Sequence, residues 1–367
     1  MSTTSSGAVR TGADGSATAL VRRLAVADSV TVSGHLFVLH GDLRRLACDA
    51  VVIPCDSGNN VNRDWIELFP TDMVSASPNP RWFRVDVALV NRHARVTEQP
   101  TRVDVAATVD YLPDLDLLTR VVSGAVVRAA ADIEPHQGRS LPLVGLPLVG
   151  TGAGGLRLDR GSVVARLVPE LRRVARESGV DIALVMRDAR DYAAVQAVRT
   201  VEDWPGLDEQ RLGTAGELAE RAVDGELSLF LGAGVSVPLG LPGWLELLNK
   251  LAEDAGMAEV DPHVDLAAAA EPIKAALGAQ YHELMRHIFE QHRHAIGHGL
   301  LADLDLTRMV TTNYDTCMEV ALRGVHGDDR LRVLTRNLAS GAQPWLLKLH
   351  GDISRPDMEA LAVKWAG

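Results

Sequence analysis

The sequence predicts an α/β protein of two successive units, an N-terminal three-layer α/β/α domain and a C-terminal Rossmann-like domain. Three observations carry this prediction. Strand-length apolar runs alternate with stretches of helical period up to residue 200. An acidic break containing Pro205 and Gly206 follows. The alternation then restarts with a strand that runs into a glycine-rich loop. Alternation of this kind implies a mostly parallel sheet with helices on both faces.

Composition sets the outer bounds. The chain has 367 residues, 47% of them hydrophobic and 23% charged, enough for two sizeable cores. The formal net charge is −11, and no basic cluster stands out. A large basic face for sequence-independent nucleic-acid binding is therefore not expected. The start of the chain is small and polar and lacks a signal-peptide core. No apolar run reaches the length of about 18 residues that a membrane helix needs. Cys48, Cys55 and Cys317 are too few for a disulfide scaffold or a four-cysteine zinc ribbon, and suit a reducing compartment. A cytoplasmic protein without membrane or nucleic-acid partners is expected, and a homo-oligomer.

Residues 1–28 read as a disordered tail. The first domain is expected over 29–200. Residues 35–39 form a short apolar run ended by Gly41 and Asp42, and 49–53 a second ended by Pro54. Residues 85–90 and 103–109 have strand length and pattern. The period then changes: Leu117, Leu118, Val121, Val122, Ala125, Val126 and Ala129 predict a helix over 114–132. A strand over 141–149, a helix over 159–178, a buried strand over 181–186 and a closing helix over 192–200 follow. A linker is expected at 201–212. The second domain, 213–367, opens with a helix over 215–224, a strand over 227–231 and a glycine-rich loop over 232–243. A helix over 244–255, a mainly helical region to residue 304, and strands over 308–312 and 345–349 complete it. Its histidine-rich stretch, His282, His287, His292, His294 and His298, is expected on a solvated helix, because only the last two share an i, i+4 spacing.

The sharper motifs lie in the second domain. Gly232, Ala233, Gly234, Val235 and Ser236 follow the strand, where glycines let a phosphate approach the backbone and a helix N-terminus favours its charge. Alone this is a weak signal. The next strand ends in Thr311, Thr312, Asn313, Tyr314 and Asp315, and the one after in Lys348, Leu349, His350, Gly351 and Asp352. Ligands of open α/β sheets bind beyond the carboxyl ends of strands. Three polar clusters at three such ends converge on one crevice.

With Gly240, Pro242 and Trp244, these motifs resemble the sirtuin-like family over residues 214–355. The zinc ribbon of the protein deacylases is missing, so the resemblance is to the divergent bacterial branch. That resemblance implies hydrolysis of NAD to nicotinamide and ADP-ribose, as an effector of antiphage defence. NAD would be the substrate, and no metal is expected. Gly232, Ala233, Gly234, Ser236 and Trp244 would form the NAD loop, with Thr312 and Asp315 beside it. Asn313 and His350 would be catalytic. A histidine near neutral pKa suits proton abstraction from water or a ribose hydroxyl. The family's sheet continues past its His-Gly motif. This chain ends at Gly367, so the domain is expected to be incomplete at its C-terminus.

The first domain has its own signature. Leu39-His40-Gly41-Asp42-Leu43, the strand from Asp49, and the loop after Val149 that contains Gly152, Ala153, Gly154 and Gly155 resemble a macro domain over 35–198. By that resemblance Asp42 would accept from an adenine amino group, and Gly152 to Gly155 would cradle phosphate through backbone N–H groups. The family's asparagine-rich first loop is replaced by Ile53-Pro54-Cys55-Asp56-Ser57. Sensing of an ADP-ribose-type small molecule is therefore expected rather than its hydrolysis. The alternatives are a non-catalytic NAD or ADP-ribose sensor, or an ADP-ribosyl hydrolase or transferase.

Overall fold

The computed structural model describes residues 33–69, 74–75, 81–85, 89–90, 102–108, 114–131, 133–136, 139–151, 159–204, 206–335 and 343–355. The structure is a mixed α/β protein with two sheets. The first contains β1 (Leu36–His40), β2 (Ala50–Cys55), β3 (Asn60–Asn62), β4 (Val74–Ser75), β5 (Trp82–Val85), β6 (Leu89–Val90), β7 (Arg102–Ala107), β8 (Leu143–Pro147) and β9 (Asp181–Met186). Its parallel centre pairs β1 with β9, β9 with β8, β8 with β2, and β2 with β7. Short antiparallel strands β3 to β6 extend the sheet.

Side chains of β2 alternate between two cores, as the pleat requires. Val52 joins the cluster under α1 (Leu115–Ala130), α2 (Arg160–Ser178) and α3 (Ala189–Ala197). Val51 and Ile53 join a second cluster with Leu39, Leu43 and Phe83 on the opposite face. Asp114 caps α1 by accepting the N–H groups of Asp116 and Leu117, and Gly179, in the left-handed region at φ 58°, ends α2.

The second sheet is parallel throughout, in the order β10 (Leu229–Leu231), β11 (Arg308–Thr311), β13 (Trp345–Lys348), β12 (Arg332–Leu334). Register places Leu231 beside Thr311 and Thr311 beside Lys348, so the carboxyl ends of three strands lie in one row. This half of the chain also holds α4 (Glu209–Val223), α5 (Trp244–Asp254), α6 (Leu266–Leu277), α7 (Gln280–Phe289), α8 (Ile296–Ala302) and α9 (Cys317–His326).

Three expectations need correction. The helix before β10 starts at Glu209 rather than at 215, inside the stretch read as linker, because Asp208 caps it by accepting the Arg211 N–H. The short strands β3 to β6 had too little apolar pattern to be read as a group, and the strand expected over 85–90 is shared between β5 and β6. The histidine-rich stretch is not uniformly solvated. His282, His287 and His292 are exposed, whereas His294 and His298 are buried. The reason is that α8 packs between the two sheet units. Ile296 and Leu300 join the core that holds Leu39, while Ala302 and Leu301 join the core beneath the second sheet. The backbone at His294 also pairs with the first unit, donating to Arg45 O at 2.8 Å and accepting from Ala47 N at 2.9 Å.

Candidate functional site

The aligned ends of β10, β11 and β13 frame a pocket of about 180 Å³. Ala233 and Ser236 line it from the loop after β10, Thr312, Asn313 and Asp315 from the turn after β11, and His350 from the turn after β13. Trp244 and Tyr314 supply aromatic walls, their rings stacked at 6.5 Å, and the Tyr314 ring lies 6.1 Å from that of His350. Of the residues expected here, Gly232 and Gly234 do not line the pocket themselves. Gly232 is nevertheless tied to it, since its carbonyl accepts from Asn313 Nδ2 at 3.1 Å. A Cβ added at Gly234 would meet nothing within 4 Å. Packing therefore does not demand glycine there, and the open space is what a ligand's close approach needs.

A buried hydrogen-bond network holds the pocket floor. Ser236 Oγ donates to Asp315 Oδ2 at 2.9 Å. Asn313 Nδ2 lies 3.3 Å from the same Oγ. The other Asp315 oxygen accepts the Cys317 N–H at 3.0 Å, at the start of α9. Thr311 Oγ1 accepts the Asn313 N–H and shapes the turn. Both Asp315 oxygens are thus occupied by neutral donors. Desolvation pushes the His350 pKa below its ordinary 6.5, so the imidazole is neutral at pH 7 and able to accept a proton. Gly351 follows it at φ 101°, a backbone region that favours glycine.

Two residues with structural weight were given no role in the sequence reading of this site. Lys348, fully buried, reaches from the end of β13 to the carbonyls of Tyr314 and Asp315 at 3.1 and 2.7 Å, and to Glu319 Oε1 at 2.6 Å. It fixes the Asn313–Asp315 turn from below. The available signal was a lysine at the end of the apolar run Trp345-Leu346-Leu347. His298 is the other; its Nε2 lies 3.2 Å from Ser236 Oγ. His298, Asp315 and Cys317 bring their nitrogen, oxygen and sulfur atoms within 4.8 Å of one another, a group that three metal ligands could form. The hydrogen bonds on both Asp315 oxygens and a Cys317 thiol pushed well up by burial do not favour that use.

In the first unit, Asp42 closes the turn after β1. Its carboxylate accepts from Arg44 Nε at 3.0 and 3.1 Å and from Nη2 at 2.6 Å, and caps the Arg44 N–H. The hydrogen bonds and charge of Arg44 outweigh burial and hold the carboxyl below the usual range. Gly324 of α9 faces this turn; a Cβ there would lie 3.5 Å from Asp42 N. Gly152, Ala153, Gly154 and Gly155 lie outside the described residues. Gly150, just before them, has φ 87°.

Residues 307–363, a stretch that includes β11 and His350, match the family model of the SIR2-like domain. Among curated proteins, the NAD(+) hydrolase ThsA of Enterococcus faecium is 29% identical over 142 residues, covering 37% of this chain and 30% of that protein. ThsA of Acinetobacter baumannii (strain 532279) is 30% identical over 150 residues, 36% of this chain and 29% of that protein. The chain thus spans less than a third of the length of these curated relatives. Among solved structures, a Trypanosoma brucei macrodomain in complex with ADP-ribose covers 46% of this chain and 71% of its own, with 14% identity and a TM-score of 0.29. An Oceanobacillus iheyensis macrodomain with MES bound covers 51% and 95%, at 12% identity and a TM-score of 0.29.

Proposed function

We propose that the chain hydrolyses NAD to nicotinamide and ADP-ribose in the pocket at the ends of β10, β11 and β13. The observation that carries this reading is the meeting of Ser236, Asn313, Asp315 and His350 around one pocket. These are the groups that the SIR2-like motifs single out, and the similar curated proteins are NAD(+) hydrolases.

In this reading the bond between ribose C1 and the nicotinamide nitrogen breaks. The ring leaves with the bonding electrons and becomes neutral. Positive charge develops on the ribose, and the Asp315 carboxylate stabilises it. Asn313 has its Nδ2 committed to Gly232 and Ser236, which leaves its Oδ1 for the substrate or the attacking water. Neutral His350 takes the proton that water loses as its oxygen bonds to C1. The leaving group needs little acid help, so a half-buried base suffices.

For the first unit we propose a sensor of ADP-ribose-type small molecules, with domain limits of 29–200 and 213–367 around a 201–212 connection. The cytoplasm fits three free, buried cysteines, and no helix among the described residues is long and apolar enough to cross a membrane. A role in antiphage defence belongs to the same reading. The test is chromatography of NAD incubated with the whole chain. Equal release of nicotinamide and ADP-ribose is expected. Unchanged NAD, with and without ADP-ribose-type nucleotides, would overturn the proposal.

A further inference from the structure

His298 belongs to none of the motifs that define the pocket, yet it is fully buried and aimed at Ser236. Proton counting fixes what it does there. Ser236 has one hydroxyl proton, and Asp315 Oδ2, an acceptor only, takes it at 2.9 Å. The two lone pairs of Oγ are left for two donors. Asn313 Nδ2 at 3.3 Å is one. His298 Nε2 at 3.2 Å is therefore the other, and must carry its proton. The imidazole is then neutral, with a bare Nδ1, and Nδ1 is buried without a partner among the described residues. Burial lowers the His298 pKa to about 4, which agrees with a neutral ring.

The helix that carries His298 is held by the other unit. On α8 the positions 296, 299, 300 and 303 share one face. Ile296 and Leu300 pack on the first unit's core. A Cβ at Gly299 would lie 3.2 Å from Leu39 Cδ2. Asp303, just past the helix, accepts the His40 N–H at 3.1 Å. His298 points the opposite way, into the second unit. A shift of β1 or its following turn thus moves α8, and with it the donor that orients Ser236.

Resting on the NAD-cleavage reading, we infer that His298 is a positioning residue for that reaction, and that α8 makes its position depend on the first unit. Ser236 orients Asn313 and Asp315, and His298 orients Ser236. Misplacement of catalytic groups by an ångström costs on the order of 10²-fold in rate.

The test uses the whole chain and steady-state nicotinamide release. His298→Leu removes the donor and is expected to lower kcat by about 10²-fold with KM little changed. His298→Gln keeps an N–H donor and is expected to recover most of the loss. Leu39→Ala, in the first unit, is expected to lower kcat several-fold in the wild type and to have no further effect on His298→Leu. Wild-type rates in His298→Leu, or equal losses in the Leu and Gln variants with unchanged thermal midpoints, would overturn the positioning role. Additive effects of Leu39→Ala and His298→Leu would overturn the dependence on the first unit. Nitrogen NMR of the histidine side chains, with His298→Gln for assignment, separates this inference from the activity. A neutral Nε2–H imidazole, perturbed in Ser236→Ala, is expected even if the chain releases no nicotinamide. A neutral Nδ1–H imidazole overturns the network outright.

Discussion

His350 and Asn313 stand in the pocket with different burdens. In the proposed reaction His350 is neutral and moves a proton, whereas Asn313 holds a water or the carboxamide in place. Neither side chain belongs to a hydrophobic core cluster. His350→Ala is expected to lower nicotinamide release by about 10²- to 10⁴-fold, the usual contribution of a positioned base. Asn313→Ala is expected to fall in the same range. Calorimetric midpoints of both variants should stay close to wild type. Near-normal turnover in either variant would remove the role assigned to that residue. Lys348 presents the contrary case. It makes its contacts below the pocket, through two carbonyls and Glu319, so its loss would act on the turn and the fold together.

At the scale of elements, α8 is where charge and packing meet. Asp303 is desolvated beside His40 and Tyr192, and burial pushes its carboxyl from 3.8 up to about 7. The folded chain therefore holds a proton that the unfolded chain releases. That contribution to stability is complete below about pH 4 and is lost as pH rises towards 7. Asp303→Asn cannot titrate but keeps an acceptor for the His40 N–H. The thermal midpoint of wild type relative to Asp303→Asn is expected to fall between pH 4 and 7 and to level off above. A difference that does not vary with pH would show that Asp303 is ionised throughout.

The same element marks where sequence reading stopped. The parallel strands were legible because each is an apolar run closed by a turn residue, and Ser236, Asn313 and His350 were legible because each follows such a strand. The sequence of α8, Ile296-Gly297-His298-Gly299-Leu300-Leu301-Ala302, shows no one-sided stripe. It buries two faces against two cores, and one of them belongs to residues near the start of the chain. Periodicity within a helix carries no trace of such a partner, so His298 read as one of a group of solvated histidines. Strands β3 to β5 were hidden for a related reason. They are short, and their pairing, Val61 with Phe83 for example, depends on register across loops.

For the whole molecule, two units joined through α8 should not act independently. The turn that holds Asp42 faces Gly324 of α9, the helix that starts at Cys317, two residues after Asp315. A ligand seated in the first unit is expected to change NAD turnover by 5- to 150-fold, the range of about 1–3 kcal/mol of coupling. Titration of ADP-ribose into the whole chain, repeated with Gly154→Glu, measures it. Gly154→Glu should abolish the response, because a bulky anion would stand where the proposal seats the ligand's phosphate. If ADP-ribose binds and turnover stays constant in both proteins, the first unit has no regulatory role.

The backbone join between Arg45, Ala47 and His294 bears on how the chain can be divided. Leu46 and His294 form a parallel bridge, so a strand-like seam crosses between residues far apart in sequence. A protease that nicks the connection near Gly206 would leave two fragments stitched by that seam and by the leucines around it. Either fragment produced alone would expose the faces of Leu39 or of Ile296 and Leu300 to water, with unpaired peptide groups beside them. The chain is thus two units by topology and a single body in manufacture.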